Sequence, residues 1–248
     1  MVEPLVDGIG LLGPLDELFP DTPPGAWAPY RERYPELLAG NSWRLPVVCF
    51  LVRVSGVIVL VDTGAGPKGL WDDWGPEPES QERLLPELRG HGVEPEDVDI
   101  VFLTHDHIDH VGWNAYEDGT PVFSRARYLL HEEALASARG RAGPIHIDRC
   151  ILGIEDRLET VRDGEEVAPG VTVTALPGHA AGHVGLRVGD EELIVADAVL
   201  HPAQLDHPEW TFAYDDDPRE AIETRRRILG ELGSEVVYAS HVTTGWRP

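Results

Sequence analysis

The stretch Val101-Phe-Leu-Thr-His-Asp-His-Ile-Asp-His-Val-Gly112 decides how the rest of the chain is read. An apolar run suited to a buried strand stops at six residues, His105 to His110, that hold three histidines and two aspartates. A lone histidine is more often solvated or packed in a core than bound to a metal, but four candidate ligands side by side need another explanation. If the chain stays extended past Leu103, period-two alternation turns His105 and His107 to the same side, where they can share one ion. If it then turns into a short helix, Asp109 and His110 diverge towards a second position a few Å away. The stretch predicts a metal site with room for two ions.

Outward from that run, other predicted strands also stop at potential ligands. Val47 to Val54, the turn Ser55-Gly56 and Val57 to Asp62 read as an apolar hairpin covered on both faces, ending in Asp62-Thr-Gly-Ala-Gly66. Val98 to Leu103 is the central strand that delivers the histidines. Val171 to Leu176 alternates and ends in Pro177-Gly-His-Ala-Ala-Gly-His183. A hairpin of Val184 to Val188 and Glu192 to Ala196 leads to Asp197, and Val236 to Ser240 leads to His241. Tyr128 to His131 is a further strand. Helices are predicted over Glu79 to His91, over Glu132 to Arg139, and from the capping box Asp217-Pro-Arg-Glu220 to about Leu232. Arg141 to Pro144 reads as a loop, and the insertion at 140–157 matches no pattern. Residues 1–43, with Trp27, Tyr30, Tyr34 and Trp43 among prolines and glycines, read as a structured arm packed on the domain, because aromatics are scarce in disordered segments.

A chain of 248 residues with 42% apolar and 26% charged residues suits one domain spanning 1–248. Its net charge of −24 disfavours nucleic acid and anionic membranes, which bind through Lys and Arg. No segment approaches a membrane span, and Met1 to Gly8 lacks the basic head and apolar run of an export signal, so the expected location is cytoplasmic and the expected partner a small-molecule substrate. Cys49 and Cys150 form no recognisable framework, and Cys49, inside Val47-Val-Cys-Phe-Leu51, reads as a small buried apolar residue. Nothing in the sequence sets the oligomeric state.

The run Thr104-His-Asp-His-Ile-Asp-His-Val-Gly-Trp-Asn114 resembles the His-x-His-x-Asp-His motif of the metallo-β-lactamase superfamily. Asp62, His105 to His110, His179, Asp197 and His241 follow in that superfamily's order, and the resemblance extends over nearly the whole chain from about Leu45. It implies an α/β fold of the αββα sandwich type, with two mixed β-sheets face to face, helices outside, and metals in a cleft at one edge. Carried over residue by residue, it makes His105, His107 and His179 ligands of a first metal, Asp109, His110 and His241 ligands of a second, and Asp197 the bridge. Asp62 would orient the site without binding metal, and His183 would support it. The two divalent ions implied are best suited by Zn²⁺, with Mn²⁺, Fe²⁺ or Co²⁺ tolerated. Such a pair lowers the pKa of a shared water enough to give a bridging hydroxide at neutral pH. The expected activity is hydrolysis of an ester-type bond (aryl ester, lactone or phosphotriester), with Asp109 also catalytic, handling a proton of the attacking water. His91, His131, His146, His201 and His207 match no motif and read as surface or structural residues.

Departures narrow the resemblance. Asp197 stands where the commonest zinc β-lactamases have Cys, and only seven residues follow His241, where glyoxalase II enzymes continue into a helical domain. Lactonases of this superfamily usually carry a Tyr three residues after the bridging Asp; here the residue is Leu200, which weakens that reading. Asp197-Ala-Val-Leu-His-Pro-Ala-Gln204 and His207-Pro-Glu-Trp210 look most like the branch with methyl parathion hydrolase, in which aromatic residues line the pocket; Trp113 and Trp210 are the candidate walls. The alternatives are a mono-iron enzyme like the persulfide dioxygenases, which does not need the second ligand set, and a non-catalytic binding protein, whose ligands are typically lost.

Overall fold

A computed structural model describes residues 1–70 and 81–246. Among these, one sheet contains β1 (Val2–Pro14), β2 (Leu38–Ala39), β3 (Ser42–Val54), β4 (Val57–Val61), β5 (Ile100–Leu103), β6 (Arg127–His131) and β7 (Leu158–Val161). The other contains β8 (Glu166–Ala168), β9 (Val171–Ala175), β10 (Val184–Val188), β11 (Glu192–Ile194) and β12 (Val236–Tyr238). The first runs β1-β3-β4-β5-β6-β7, with β2 paired to β3; the second runs β12-β11-β10-β9-β8. Both are mixed: β4 to β7 pair in parallel beside the antiparallel β1, β3 and β4, and β12 lies parallel to β11 in an otherwise antiparallel sheet.

The continuous apolar runs of β3, β4 and β5 follow from burial on two sides. Cys49, Leu51, Leu60, Val101 and Leu103 face a core shared with Leu84, Leu88, Ala134, Leu135 and Ile147 of the outer helices. Their alternates Val48, Phe50, Val52, Val59, Val61, Ile100 and Phe102 pack instead on Val171, Val173, Val184, Leu186 and Ile194 of the second sheet. That sheet turns Leu193 and Val237 outward to Ile228 of the helix Pro218–Glu231. Helix, sheet, sheet and helix therefore stack as the sequence predicts, each buried Val, Leu or Phe contributing about 1.5–3 kcal/mol.

The hairpin from β3 to β4, the strand before the histidines and the helix opened by Asp217 lie where the sequence places them; Asp217 accepts from the Arg219 and Glu220 amides at 3.0 Å. The helix predicted from Glu79 is observed over Leu84–Gly90, while positions 79 and 80 lie outside the described residues. The 140–157 insertion folds as a helix, Ile145–Cys150, and a 3₁₀ segment, Leu152–Arg157. Val2–Pro14, for which the sequence suggests no strand, pairs along β3 as the edge of the first sheet, the position where Pro4 is tolerated. Its register shifts between Val6 and Gly8, and Asp7 at that irregularity accepts from the amides of Ala65 and Leu84, both at 2.7 Å, and from Trp113 Nε1 at 3.2 Å. β1 thereby braces the turn after β4.

Candidate metal centre

Parallel pairing sets the position of the site. β4 and β5 run side by side and end at Asp62 and Thr104; β11 and β12 do the same in the other sheet, ahead of Asp197 and His241. The sheets are joined at this edge, where the Val184 amide donates to Thr104 O at 3.0 Å and the Val48 amide to Ser240 O at 2.9 Å. After β5 the chain enters the short helix Ile108–Val111, the turn on which the sequence reading made a second metal position conditional. Gly112 then lies so close to the Ala65–Gly66 backbone that a Cβ would collide with it, and its amide donates to Gly64 O at 2.8 Å.

All seven candidate ligands meet here. Donor atoms of His105, His107 and His179 lie within 4.8 Å of one another, and so do those of Asp109, His110 and His241, and those of His105, His110 and Asp197. Asp197 Oδ2 is 3.2 Å from His241 Nε2, 3.3 Å from His179 Nε2, 3.4 Å from His110 Nε2 and 3.9 Å from His105 Nε2. Asp109 Oδ2 lies 3.7 Å from His241 Nε2 and 3.8 Å from His110 Nε2.

The far nitrogens are anchored. His110 Nδ1 meets Asp62 Oδ2 at 2.8 Å, His179 Nδ1 meets Asp215 Oδ1 at 3.0 Å, His241 Nδ1 donates to Pro46 O at 2.7 Å, and His105 Nδ1 lies 3.0 Å from Thr104 Oγ1. Asp62, in left-handed backbone (φ 59°), also accepts from the Thr104 amide at 2.8 Å and hydroxyl at 2.9 Å. His183 donates from Nδ1 to Leu176 O and accepts the Asp197 amide at Nε2, 3.2 Å away, which fixes the backbone of that aspartate.

The donor set fits cations. His105 Nε2, His110 Nε2 and Asp197 Oδ1 are buried without a hydrogen-bond partner, a costly state for polar atoms unless something else binds them. Burial, reinforced by neighbouring imidazoles, holds His105 and His107 well below the usual histidine pKa, leaving neutral rings with lone pairs to offer. Burial also disfavours charge on His110, but Asp197, Asp109 and Asp62 outweigh it and raise its pKa well above the ordinary value. Conversely, Asp197 is lowered well below the carboxylate range despite burial, because His241 and His110 face it. The carboxylates thus favour positive charge beside His110, while the neutral rings of His105 and His107 keep their lone pairs.

Beside it opens a cavity of about 410 Å³. Its walls include Leu12 from β1, Leu45 from β3, Leu200, Phe212 and Tyr214, with Asp215 and Asp216 also lining it. Trp113 and Trp210, the aromatic walls expected from sequence, are not among its lining residues. Trp113 packs in the core under the outer helices, and Trp210 joins the aromatic cluster of residues 15–45. Large aromatics are as useful in a core as in a pocket, and sequence does not separate the two. Asp215, Phe212 and Leu12 were missed; the acidic run Asp215 to Asp217 was legible only as a helix cap.

Residues 42–241 match the model of the Metallo-beta-lactamase superfamily, and the chain belongs to that family. Its relatives include the N-acyl homoserine lactonase AiiA of Bacillus thuringiensis subsp. kurstaki, 29% identical over 226 residues that cover 83% of this chain and 84% of the other. The N-acyl homoserine lactonase AiiB of Agrobacterium fabrum is 34% identical over 180 residues, covering 62% and 63%. In fold the chain is similar to AidC, a dizinc quorum-quenching lactonase, with a TM-score of 0.79 at 20% identity over 97% of this chain and 86% of that one. It is equally similar to the hydrolase AbOPH of the beta lactamase superfamily, with a TM-score of 0.79 at 25% identity and the same coverage. The chain is a metal-dependent hydrolase of ester or lactone bonds, and the dioxygenase and non-catalytic alternatives are not favoured.

Proposed function

We propose that the cleft holds two zinc ions and opens a lactone, with N-acyl homoserine lactones as the first class to test. The observation that carries the two-ion centre is the Asp197 carboxylate, one oxygen of which faces the Nε2 atoms of four buried histidines, and the lactone follows from the similarity to the N-acyl homoserine lactonases. In this reading His105, His107 and His179 would hold the first ion and Asp109, His110 and His241 the second, with Asp197 between the two groups. Zinc held there would supply an acidified water and positive charge for the oxygen under attack. Asp109 would hold a water at the site and take up its proton, while Leu12, Leu45, Leu200 and Phe212 would seat the apolar part of the substrate. Residues 1–43 belong to the same working unit, because Leu12 shares this wall.

Aryl ester or phosphotriester hydrolysis is the second reading. It is favoured by Leu200, which lines the cavity without a hydroxyl to donate to a lactone carbonyl. Initial rates of zinc-loaded protein on N-acyl homoserine lactone, aryl ester, thioester and phosphotriester separate the two, with Asp197→Ala as the blank. Preference for the lactone is the expected outcome; preference for the aryl ester or phosphotriester would replace it with the second reading.

A further inference from the structure

Behind the histidines lies a buried charged side chain that plays no part in the chemistry proposed above. Arg225, on the helix Pro218–Glu231, is fully buried at 0% exposure. A guanidinium carries five N–H donors and is costly to remove from water unless they are matched. Arg225 Nε donates to Pro208 O at 2.9 Å, Nη2 to Trp210 O at 3.3 Å and Nη1 to Ala198 O at 3.4 Å, and Nη1 lies 3.8 Å from Asp215 Oδ2. Asp215 Oδ2 also accepts the Phe212 amide at 3.1 Å, leaving Oδ1 for His179 Nδ1. One planar side chain thus reaches both the carbonyl of Ala198, the residue next to Asp197, and the carboxylate that grips His179.

We propose that Arg225 is a positioning residue for the metal centre, acting mainly through Asp215. An ionised carboxylate only accepts hydrogen bonds, so Asp215 fixes the His179 tautomer with hydrogen on Nδ1 and the Nε2 lone pair towards Asp197. The Phe212 amide hydrogen-bonds that carboxylate at 3.1 Å, the Arg225 charge holds it from 3.8 Å, and the Ala198 contact ties the same guanidinium to the loop of the bridging residue. This inference rests on the proposed metal reading and is independent of which bond is cleaved.

The test is zinc affinity of the full chain, measured by competition with a chromophoric chelator, in wild type, Arg225→Met, Asp215→Ala and the double variant. Each single change is expected to weaken zinc binding by about 10–100-fold, the usual effect of losing a partner that orients a ligand. The double variant should be weakened by much less than the product of the two, because the effects share one path. Visible spectra of the cobalt-loaded variants should change in parallel. Unchanged affinity in folded Arg225→Met, or fully multiplicative losses, would overturn the proposal. Should Arg225→Met fail to fold, Arg225→Lys carries the test: the charge remains without the planar fork, so a measurable loss of affinity supports the role and wild-type affinity overturns it. Wild-type protein that binds zinc but opens no lactone refutes only the proposed substrate, whereas wild-type protein that binds no zinc refutes both.

Discussion

Two regions of this molecule bury histidines almost completely and use them in opposite ways. At the cleft floor His105, His110 and His241 are 0–2% exposed; in the aromatic cluster formed by residues 15–45 and 200–212, His201 is 1% exposed. The floor rings are pinned at one nitrogen and turn the other towards Asp197 or Asp109. His201 is instead ringed by Phe19, Trp27, Tyr30, Tyr34 and Trp43 at centroid distances of 5.0–6.3 Å, and its Nδ1 accepts the Ala203 amide at 3.1 Å. Burial alone therefore does not distinguish a candidate ligand. A carboxylate in front of the inward nitrogen does.

The largest expected effects break the floor. His179→Ala or Asp197→Ala should lose bound metal and reduce hydrolysis to background, while the variant melts within a few degrees of metal-free wild type, since the sheets pack without the ligands. Metal analysis and calorimetry check both halves, and near-wild-type turnover would remove the residue from the site. Breaking the wall should act differently: Phe212→Ala is expected to lower kcat/KM for a lactone with an apolar chain about tenfold, the lower end for loss of a hydrophobic contact, at unchanged metal content. Equal losses on short and long chains would take Phe212 out of substrate binding.

Leu200→Tyr is a sharpening change. A hydroxyl at this wall position should raise lactone turnover relative to aryl-ester turnover about fivefold, corresponding to roughly 1 kcal/mol of net hydrogen bonding. An unchanged ratio would mean that Leu200 does not face the scissile group. A further effect is on stability and leaves turnover aside. Burial pushes the His201 pKa down from 6.5 to about 3, so below pH 6.5 the unfolded chain takes up a proton that the folded one refuses. Stability is lost as pH falls through that window and levels off near pH 3. His201→Gln should flatten the decline by up to about 1.4 kcal/mol per pH unit, read from denaturant unfolding at pH 7 and pH 4.5; parallel wild-type and variant curves would contradict it.

The comparison also explains what was legible in the sequence. Metal chemistry demands particular donors, and the sandwich presents them where strands end, so His105 to His110, His179, Asp197 and His241 stood out against apolar runs. The two-sided burial of β3 to β5 was equally visible, because it leaves no polar face. β1 was not: Pro4, Gly8, Gly10, Gly13 and Pro14 hide a strand that depends on β3 for its pairing. Nor were the cavity walls. Leu12, Leu45 and Phe212 become neighbours only through tertiary packing, and an apolar residue in a wall has the same sequence signature as one in a core. Asp215 and Arg225 were hidden for a related reason, since Asp215 meets His179, and Arg225 meets Asp215, only once the chain is folded.

The most direct measurement is a titration of chelator-treated protein with Zn²⁺, following bound metal and lactone hydrolysis together. Activity should rise with zinc, reach its plateau at two equivalents per chain, and vanish again on chelation. A plateau at one equivalent would contradict the two-ion centre around Asp197, and hydrolysis that survives complete removal of metal would contradict metal-dependent catalysis at this cleft altogether.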